Sequence, residues 1–533
     1  MIFFILVSVL FSINFKYEVG DWFTLSNPKS INSITSTNNE IIFCSENGVF
    51  KYNMLTSSFN FDEDYLREFD NQKPIIVFYD EYRDYLWYLT DEGLNYKPRI
   101  SSFWSKINFY ELNTASYRSI INIGSDFNYI YLDVGSTYLI LNPFTGRLVE
   151  NQDIAININN INWSNQSNYQ FTNIDLTRFN SFENLDVISN NLIRSDGVSL
   201  NITAIFKDKY HDFWVGTDRG EVFYCDSKMN TISKIKSIPI MTDINITYYD
   251  DFGNWWFSSN DNVLVNEKIS IGNELVFFSR WIEEDNRWLN YTNRNFKHIF
   301  SSDITSFYRL DNWLYIGTNK GLVVYDLNSK DSLLIDQKKG LLSNIVNEIN
   351  YFSNNIYIAT NSGINVLSTF GNVLLSVDEL NFFNNVNIFS FFLDSESILI
   401  ASELGLYEYI FKKNKVIQIT EKKYQNVFAD EDNDLILSRR KKIFKSSNDD
   451  YESLISLDRI KNVCYVDNFL WVNSVNNATL FNLNNNKSTI YNQSDGIVGN
   501  IINHIGCDES WVWFSTNKGV TMYNWSKYHN NEK

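Results

Sequence analysis

The chain has 533 residues, of which 44% are hydrophobic, and a formal net charge of −18. This length exceeds one ordinary domain and supplies enough apolar residues for large cores. The excess of 63 acidic over 45 basic residues argues against a nucleic-acid backbone or an anionic membrane surface as the main partner. Acidic surfaces also keep proteins soluble, so the charge by itself specifies no partner.

The first predicted element is an apolar run from Ile2 to Ile13, followed by Asn14 and Lys16. The run has the length of a signal peptide and is too short to cross a membrane. Residues 1–15 are therefore predicted to be a signal peptide, and the protein to be exported to the periplasm or the extracellular space. The alternative is a buried first strand. No later apolar run is long enough for a membrane span.

A short phrase then recurs along the chain: an aromatic or aliphatic residue, any residue, a small residue, Ser or Thr, two more residues and Gly. The commonest step between copies, as from Thr318 to Thr360, is 42 residues. A repeat of this length made of short strands and Gly turns is typical of β-propeller blades. Taking the Ser or Thr as the register residue, the copies are Ser45, Thr90, Val134, Thr217, Ser259, Thr318, Thr360, Ser402, Ser438, Ser474 and Thr516.

Each position of the phrase has a physical reason. A small residue before the register residue, such as Gly216 or Ala359, is expected to leave room for a large aromatic residue of the next blade. The Gly three residues after it, such as Gly321, suits the positive φ of a hairpin turn. An upstream phrase, polar-Ile-x-x-apolar, is predicted to be the innermost strand of each blade. A polar turn such as Asp250–Asn254 then leads into the aromatic strand.

The number of copies predicts the domain organisation. About twelve blades are too many for one closed propeller, so two rings are expected. The fold class is all-β, with two tandem propellers of about five to seven four-stranded blades each: an N-terminal one over residues 16–235 and a C-terminal one over residues 236–528. The last seven copies belong to the second ring, and a degenerate copy near residues 150–190 would complete the first. A first strand that crosses over to close the other ring is a further arrangement left open.

The candidate binding residues come from the repeat itself. Ring closure would gather several polar residues that precede the inner strands around one mouth of a channel, where carboxylates and amides bind a sugar, a peptide end or a cation. The alternative is that Asn and Asp start turns and cap strands by local hydrogen bonds. A histidine on an inner strand could likewise face the channel and contribute to the site. Its alternative is a polar residue in the channel whose hydrogen bonds are satisfied within the protein. These residues are Asn201, Asp243, Asp303, Asn344, Asn500 and His504.

Other features give little chemistry. Asp430–Asp434 resembles the start of a calcium loop, but Leu435 replaces its Gly and Lys441 its bidentate Glu, so a solvated hairpin turn is predicted. No catalytic triad or nucleophile elbow is evident among four histidines, and no metal or cofactor is expected. The insertion that contains Phe277–Trp281 and Arg287–Tyr291 is either a recognition loop or a segment packed on its own blade.

The four cysteines form no CxxC pair and no metal-ligand spacing; they are Cys44, Cys225, Cys464 and Cys507. Cys464 and Cys507 occupy nearly equivalent inner-strand places in successive blades, which leaves a bridge open. Buried cysteines are nevertheless common as unpaired thiols, so four buried thiols are the expectation.

The leader Ser494-Asp-Gly-Ile-Val-Gly-Asn500-Ile501 and the phrase from Tyr315 to Tyr325 resemble the two-component-regulator propeller repeat of bacteria. The opening, Gly20-Asp-Trp-Phe-Thr-Leu25 followed by Ile41–Tyr52, is similar to the start of PorZ-type tandem propellers. The resemblance implies a β-propeller fold and a role in sensing, secretion or surface assembly. It carries over no catalytic residue.

The sequence therefore predicts an exported, non-enzymatic β-propeller protein that acts as a ligand-binding or protein-interaction module at the bacterial cell envelope. The expected partner is an unidentified glycan, peptide or envelope protein. The alternative is a lyase or hydrolase that acts on a polysaccharide or peptide in the channel and uses His504 or the ring of Asn and Asp residues.

Overall fold

The computed structural model describes most of the chain from residue 21 onwards. The described residues are 21–62, 65, 68–69, 72–101, 103–149, 156–164, 175–181, 185–195, 198–235, 239, 241–265, 274–282, 287–292, 296, 303–430, 434–447 and 450–529. The predicted signal peptide lies outside them.

The described part of the chain forms eleven antiparallel sheets, ten of four strands and one of six. Each sheet has one of the eleven register residues, from Ser45 to Thr516, in one of its strands or directly after one, as for Val134 and Ser474. The all-β propeller class predicted from the repeat is confirmed.

Four sheets precede residue 235. The first two are meanders of β2 (Ile31–Ser36), β3 (Glu40–Ser45), β4 (Gly48–Asn53) and β5 (Ser58–Phe61), and of β6 (Pro74–Asp80), β7 (Tyr85–Thr90), β8 (Leu94–Pro98) and β9 (Ser105–Ile107). The third contains β10 (Asn122–Ser125), β11 (Ile130–Asp133), β12 (Tyr138–Leu141) and β13 (Asn162–Trp163). The six-stranded sheet contains β14 (Leu185–Ser189), β15 (Leu192–Ser195), β16 (Val198–Lys207), β17 (Phe213–Thr217), β18 (Val222–Asp226) and β19 (Thr231–Lys234).

The first strands of these sheets lie side by side. Strand β2 contacts both β16 and β6, and β6 contacts β10. The long β16 serves two purposes, because its first half pairs with β15 and its second half with β17. Nearly half of the segment in which the degenerate copy is predicted, residues 150–155, 165–174 and 182–184, lies outside the described residues. The boundary near residue 235 therefore stays a prediction.

Seven sheets follow, and we number them along the chain. The first contains β20 (Ile244–Tyr249), β21 (Asn254–Val265), β22 (Glu274–Ile282) and β23 (Arg287–Thr292); the second contains β24 (Ile304–Leu310), β25 (Trp313–Thr318), β26 (Gly321–Asp326) and β27 (Ser332–Ile335). The third contains β28 (Val346–Phe352), β29 (Asn355–Thr360), β30 (Gly363–Ser368) and β31 (Val373–Leu375); the fourth contains β32 (Ile388–Leu393), β33 (Ser397–Ser402), β34 (Gly405–Ile410) and β35 (Lys415–Thr420).

The remaining three complete the set. The fifth sheet contains β36 (Asn426–Ala429), β37 (Leu435–Ser438), β38 (Lys442–Ser447) and β39 (Asp450–Ser456); the sixth contains β40 (Asn462–Val466), β41 (Phe469–Asn473), β42 (Ala478–Asn482) and β43 (Lys487–Tyr491). The seventh contains β44 (Ile502–Cys507), β45 (Val512–Thr516), β46 (Gly519–Tyr523) and β1 (Trp22–Leu25). The described helices are short: 3-10 turns at Tyr117–Ser119, Ile158–Asn160, Leu176–Arg178, Gln337–Lys339, Asp378–Phe383, Phe411–Lys413 and Gln493–Asp495, and α1 (Ser526–His529).

These seven sheets form a closed ring, because each first strand contacts the next and β44 contacts β20. Side chains on one first strand bind the backbone of the following one, which otherwise would have unpaired groups at the channel. Asn347 Nδ2 donates to the carbonyl of Ile388 at 2.6 Å, and Thr305 Oγ1 donates to that of Val346 at 2.6 Å. Polar side chains therefore stabilise the inner surface of the ring.

The seventh sheet is completed by the N-terminal strand, so the two ends of the chain close the ring together. Trp22–Leu25 pairs antiparallel with Val520–Tyr523. Trp22 is buried and stacks on Tyr523 with 4.3 Å between ring centroids. The Lys527 ammonium on α1 lies 2.9 Å from the Asp21 carboxylate. The crossover that the sequence left open is present.

The register residue has a structural role that its pattern did not reveal. Its hydroxyl donates to the carbonyl of the turn residue three positions on, as from Thr318 to Gly321 at 2.7 Å and from Thr360 to Gly363 at 2.8 Å. Gly321 has a φ of 133°, and a Cβ there would lie 2.5 Å from the carbonyl oxygen of Ile335. Conformation and space both require glycine at this turn.

The small residue before the register residue makes room for a different neighbour from the one expected. A Cβ on Gly317 would lie closest to the Ser306 hydroxyl of its own sheet, and 2.9 Å from Val346, an aliphatic residue on the first strand of the next sheet. Gly216 faces Ile31 in the same way. The nearest neighbours at these two glycines are therefore first-strand residues, with an aliphatic side chain from the next sheet in place of the expected aromatic one.

Two of the four cysteines contradict the expectation of free thiols. Cys464 and Cys507 form a disulfide between the first strands of the sixth and seventh sheets, with their Cα atoms 6.0 Å apart. Cys44 and Cys225 are buried and free, and burial raises the pKa of both thiols, that of Cys225 to about 12. The expectation failed because sequence spacing gave no distance between strands that only ring packing brings together.

Candidate functional site

The five predicted Asn and Asp binding residues each bond to a residue nearby in the sequence. Asn201 Nδ2 donates to the Asp218 carboxylate at 2.7 Å, and the Asp303 carboxylate lies 2.9 Å from the Lys320 ammonium. The other three residues also bond to partners close to them in the sequence. Bonds of this kind are typical of Asn and Asp residues that start turns and cap strands. Those partners are Asn260 for Asp243, the backbone of Gln337 for Asn344, and Asn517 for Asn500.

These residues do not all stand at the same distance from the residue that pairs with the register residue. Asp303 stands one residue before Ile304, which pairs with the register residue Thr318. Asn500 stands two residues before Ile502, which pairs with Thr516. Asp243 also bonds across sheets, because Asn503 Nδ2 of the seventh sheet donates to it at 2.8 Å. The ligand role of these residues stays a prediction.

His504 lies on the first strand of the seventh sheet, opposite Ser515. Its Nδ1 is buried and has no hydrogen-bond partner in the described part of the chain. Burial lowers the pKa of His504 to about 4, so the ring is neutral at pH 7. Asp303 belongs to the second sheet, with the first sheet between them, and no hydrogen bond joins the two residues in the described structure. The catalytic alternative therefore gains no geometric support.

A cavity of about 590 Å³ opens where the first, fifth, sixth and seventh sheets meet. It lies at the edge where the first strands of these sheets begin. We call this cavity and its walls the channel mouth. Its lining residues are Asn245, Asn260, Gln425, Arg440, Arg459, Ile460, Lys461 and Asn503.

Neighbouring contacts hold several lining side chains in place. Asn503 is fixed by its bonds to Asp243 and to the carbonyl of Ile244, at 2.8 and 2.9 Å. The Lys461 ammonium donates to the carbonyl of Ile502 at 2.7 Å, and the Asn245 side-chain oxygen accepts from Ser258. These three polar side chains are therefore held in position before any ligand arrives.

Sequence reasoning missed the charged half of the channel mouth. It selected residues that precede first strands and so included Asp243, which contacts two lining residues. It passed over the run Arg439–Lys442, which follows the register residue Ser438, and over Arg459 and Lys461. Their position relative to the repeat was the available signal, since residues just after the register residue share the edge of those before the first strand.

Two further predicted features are structural. The Asp430 carboxylate is buried, accepts from the amide of Asp434 at 2.8 Å and lies 2.7 Å from the Lys445 ammonium. The described part of this turn is therefore held by an internal ion pair, and it is less solvated than predicted. In the insertion, Phe277 and Trp281 are buried, which agrees with a segment packed on its own blade. Among the residues with described positions, no cluster of three His, Cys, Asp or Glu could hold a metal ion.

No family model and no curated protein matches this sequence. Solved structures resemble it in fold. One is the extracellular domain of a protein described as a hybrid two-component system from B. thetaiotaomicron (15% identity, 92% of this chain and 75% of that chain, TM-score 0.43). Another is PorZ, a surface component of the type-IX secretion system of Porphyromonas gingivalis (11%, 93% and 74%, TM-score 0.42). A third is the propeller domain of Cps50 from Myceliophteria thermophila (9%, 53% and 96%, TM-score 0.37).

The two bacterial structures are of the kinds that the repeat resembled in the sequence. At these identities the likeness concerns the fold alone. The sheets and their order define the protein as a tandem β-propeller, with a polar channel mouth on its seven-sheet ring. No helix in the described part of the chain has the length and apolar character that crossing a bilayer requires.

Proposed function

We propose that this protein is an exported, non-enzymatic binding module of the bacterial cell envelope that takes its ligand at the channel mouth. The observation that carries the proposal is the convergence of side chains from four sheets on one cavity of about 590 Å³. This volume lies within the range of about 300–1,000 Å³ that is usual for small-molecule sites. Loops and strand ends from several blades present such groups on one rigid surface.

Export is supported by the disulfide between Cys464 and Cys507. Structural disulfides persist in oxidising compartments and are rare in the cytosol. The apolar run Ile2–Ile13 is in keeping with this placement. In the envelope the module would act as a sensor or as a component of secretion or surface assembly.

Two experiments test the two parts of the proposal. Cell fractionation of the native host tests placement, and stable cytoplasmic residence would reject it. The purified chain, applied to glycan and envelope-peptide arrays, tests binding. We expect a retained ligand whose binding weakens in Asn245→Ala or Gln425→Ala, with the distant Phe370→Ala as the matched control. Retention of no ligand, or retention that ignores both channel-mouth variants, would reject this site.

A further inference from the structure

The second and fifth sheets use equivalent positions differently. In the second sheet Ile304 pairs with Thr318, and Asp303 before it forms an ion pair with Lys320 at 2.9 Å. In the fifth sheet Asn426 pairs with Ser438 in the same register. Gln425 therefore takes the place of Asp303, and Arg440 takes the place of Lys320. The cation is kept, but a neutral amide replaces its carboxylate partner.

The channel mouth is consequently cationic on an acidic protein. Arg440, Arg459 and Lys461 line it, and no carboxylate is among its described lining residues. The whole chain carries a net charge of −18, so this local excess runs against the composition. Within the described residues, neither Arg440 nor Arg459 forms an ion pair. Guanidinium groups that line a cavity without a carboxylate partner are suited to bind the carboxylate groups of a ligand in a bidentate manner.

The lowered pKa of Lys461 is a second indication that the channel mouth lacks negative charge. Burial lowers the pKa of this ammonium, the positive charge of Arg459 lowers it further, and Asp243 opposes both. An anion beside Lys461 and Arg459 would favour the charged lysine. The carboxylate that acts on Lys461, Asp243, is already bonded to Asn503 and Asn260.

The rest of the lining indicates which kind of anion fits. Carboxamide groups both donate and accept hydrogen bonds, as sugar hydroxyls do. A peptide or lipid would need apolar pockets, and Ile460 is the single apolar residue of the eight that line the cavity. The carboxamides come from Asn245, Asn260, Gln425 and Asn503.

We infer that the channel mouth binds an acidic oligosaccharide, whose carboxylates are held by Arg440, Arg459 and Lys461 and whose hydroxyls are held by the surrounding carboxamides. This inference rests on the proposed binding function and names the ligand class of the same site. An acidic peptide shares the carboxylates but lacks the hydroxyls, so it is the alternative that the test must separate.

The test is titration calorimetry on the full chain with short oligomers of galacturonate, mannuronate and glucuronate. Neutral methyl esters of the same oligomers remove the charge and keep the hydroxyls. Triglutamate and inorganic phosphate supply negative charge without sugar. We expect at least one uronate oligomer to bind, its methyl ester to bind about 10- to 100-fold more weakly, and binding to weaken at high salt.

The matched variants use the equivalence of the two sheets. Gln425→Asp places beside Arg440 the carboxylate that Lys320 has in the second sheet, and should weaken uronate binding about 10-fold or more. Gln425→Asn keeps a neutral carboxamide at the same position and should weaken uronate binding less than Gln425→Asp does. Phe370→Ala, outside the channel mouth, is the control that should bind as wild type. The single variants Arg440→Gln and Arg459→Gln should each bind uronate oligomers about 10-fold or more weakly than the wild type. These side chains are exposed, so folding is retained, which circular dichroism checks.

Several results would overturn the inference. Equal binding of uronates and their methyl esters would show that the carboxylates are not recognised, and so would unaltered binding by the arginine variants. Either result rejects the acidic ligand, while a ligand found on the arrays would still support the binding function. Triglutamate or phosphate that binds as tightly as every uronate removes the sugar assignment. If no uronate binds but an array ligand does, the ligand class is wrong and the binding function stands. If nothing binds in either experiment, both proposals fail.

Discussion

The second and fifth sheets of the ring show how one backbone position serves two purposes. At the edge of the second sheet, the Lys320 ammonium is 2.9 Å from the Asp303 carboxylate, so the edge satisfies its own charge. At the edge of the fifth sheet, Arg440 stands beside Gln425 and faces a cavity. Equal register therefore does not mean equal availability to a ligand.

This contrast divides the ring into parts whose side chains bind one another and a part whose side chains are left for a ligand. Substitutions in the first kind of region should change stability without changing binding. Substitutions at the channel mouth should do the reverse. The predictions below test that division, beginning with the largest expected effect on stability.

Trp22→Ala should be the most damaging change, because it opens the sheet that closes the ring. Trp22 is buried and stacks on Tyr523, and Phe514 lies 6.4 Å away between ring centroids. Removing a buried Trp side chain costs about 3–5 kcal/mol. Urea unfolding followed by circular dichroism measures the loss. Phe370→Ala, at a side chain that is 76% exposed, is the control and should change stability by less than about 0.5 kcal/mol.

Removal of the Cys464–Cys507 disulfide should be next in size. The bridge spans 43 residues of sequence and joins the sixth and seventh sheets. A bridge of this kind contributes about 2–4 kcal/mol. The double variant Cys464→Ser, Cys507→Ser should show this loss in thermal unfolding. A reductant should destabilise the wild type by a similar amount and leave the double variant unchanged; a wild type insensitive to reductant would contradict the prediction.

Two buried groups at equivalent positions should give opposite pH dependences. His504 and Glu348 pair with the residues before Thr516 and Thr360. Burial lowers the pKa of His504 from 6.5 to about 4, so the unfolded chain binds the proton first and stability falls as pH drops from about 6.5 to about 4. Burial raises the pKa of Glu348 from 4.5 to about 7, opposed by bonds from Phe391 and Asn350. The folded chain then holds the proton more tightly, and stability falls as pH rises from about 4.5 to about 7.

Single variants separate the two contributions, each on the order of 3 kcal/mol. His504→Asn should leave a protein that loses stability as pH rises through this range. Glu348→Gln should leave one that gains stability over the same range, and the wild type should lie between them. Urea unfolding at a series of pH values checks this. Parallel pH profiles for both variants would show that neither group is buried as described.

The smallest stability effects belong to the two edges compared above. Asp303→Asn breaks a partly exposed ion pair and should cost about 0.5–1 kcal/mol without altering ligand binding. Arg440→Gln removes a cation that has no carboxylate partner in the described residues, so stability should stay within about 0.5 kcal/mol while binding falls. Equal stability losses in the two variants would show that Arg440 is a structural residue.

The repeat allowed much of the fold to be predicted, since residues within about ten positions of each other carry its pattern. Thr318 and Gly321 act within one hairpin, and their side chains need no distant partner to be recognised. The bridge between Cys464 and Cys507 could not be assigned in the same way. It depends on the packing of two sheets against each other, which no local pattern encodes.

The sequence by itself determined the repeated strand pattern of the blades and the glycine turns, because each depends on neighbouring residues and on a period that repeats. Tertiary structure alone decided which strand closes the ring, since Trp22 and Tyr523 lie at opposite ends of the chain. Tertiary structure also decided which polar side chains have no partner within the protein and can therefore contact a ligand. Asp303 and Gln425 occupy the same register, and the charge of the neighbouring side chains and the shape of the cavity separate a capped edge from a channel mouth.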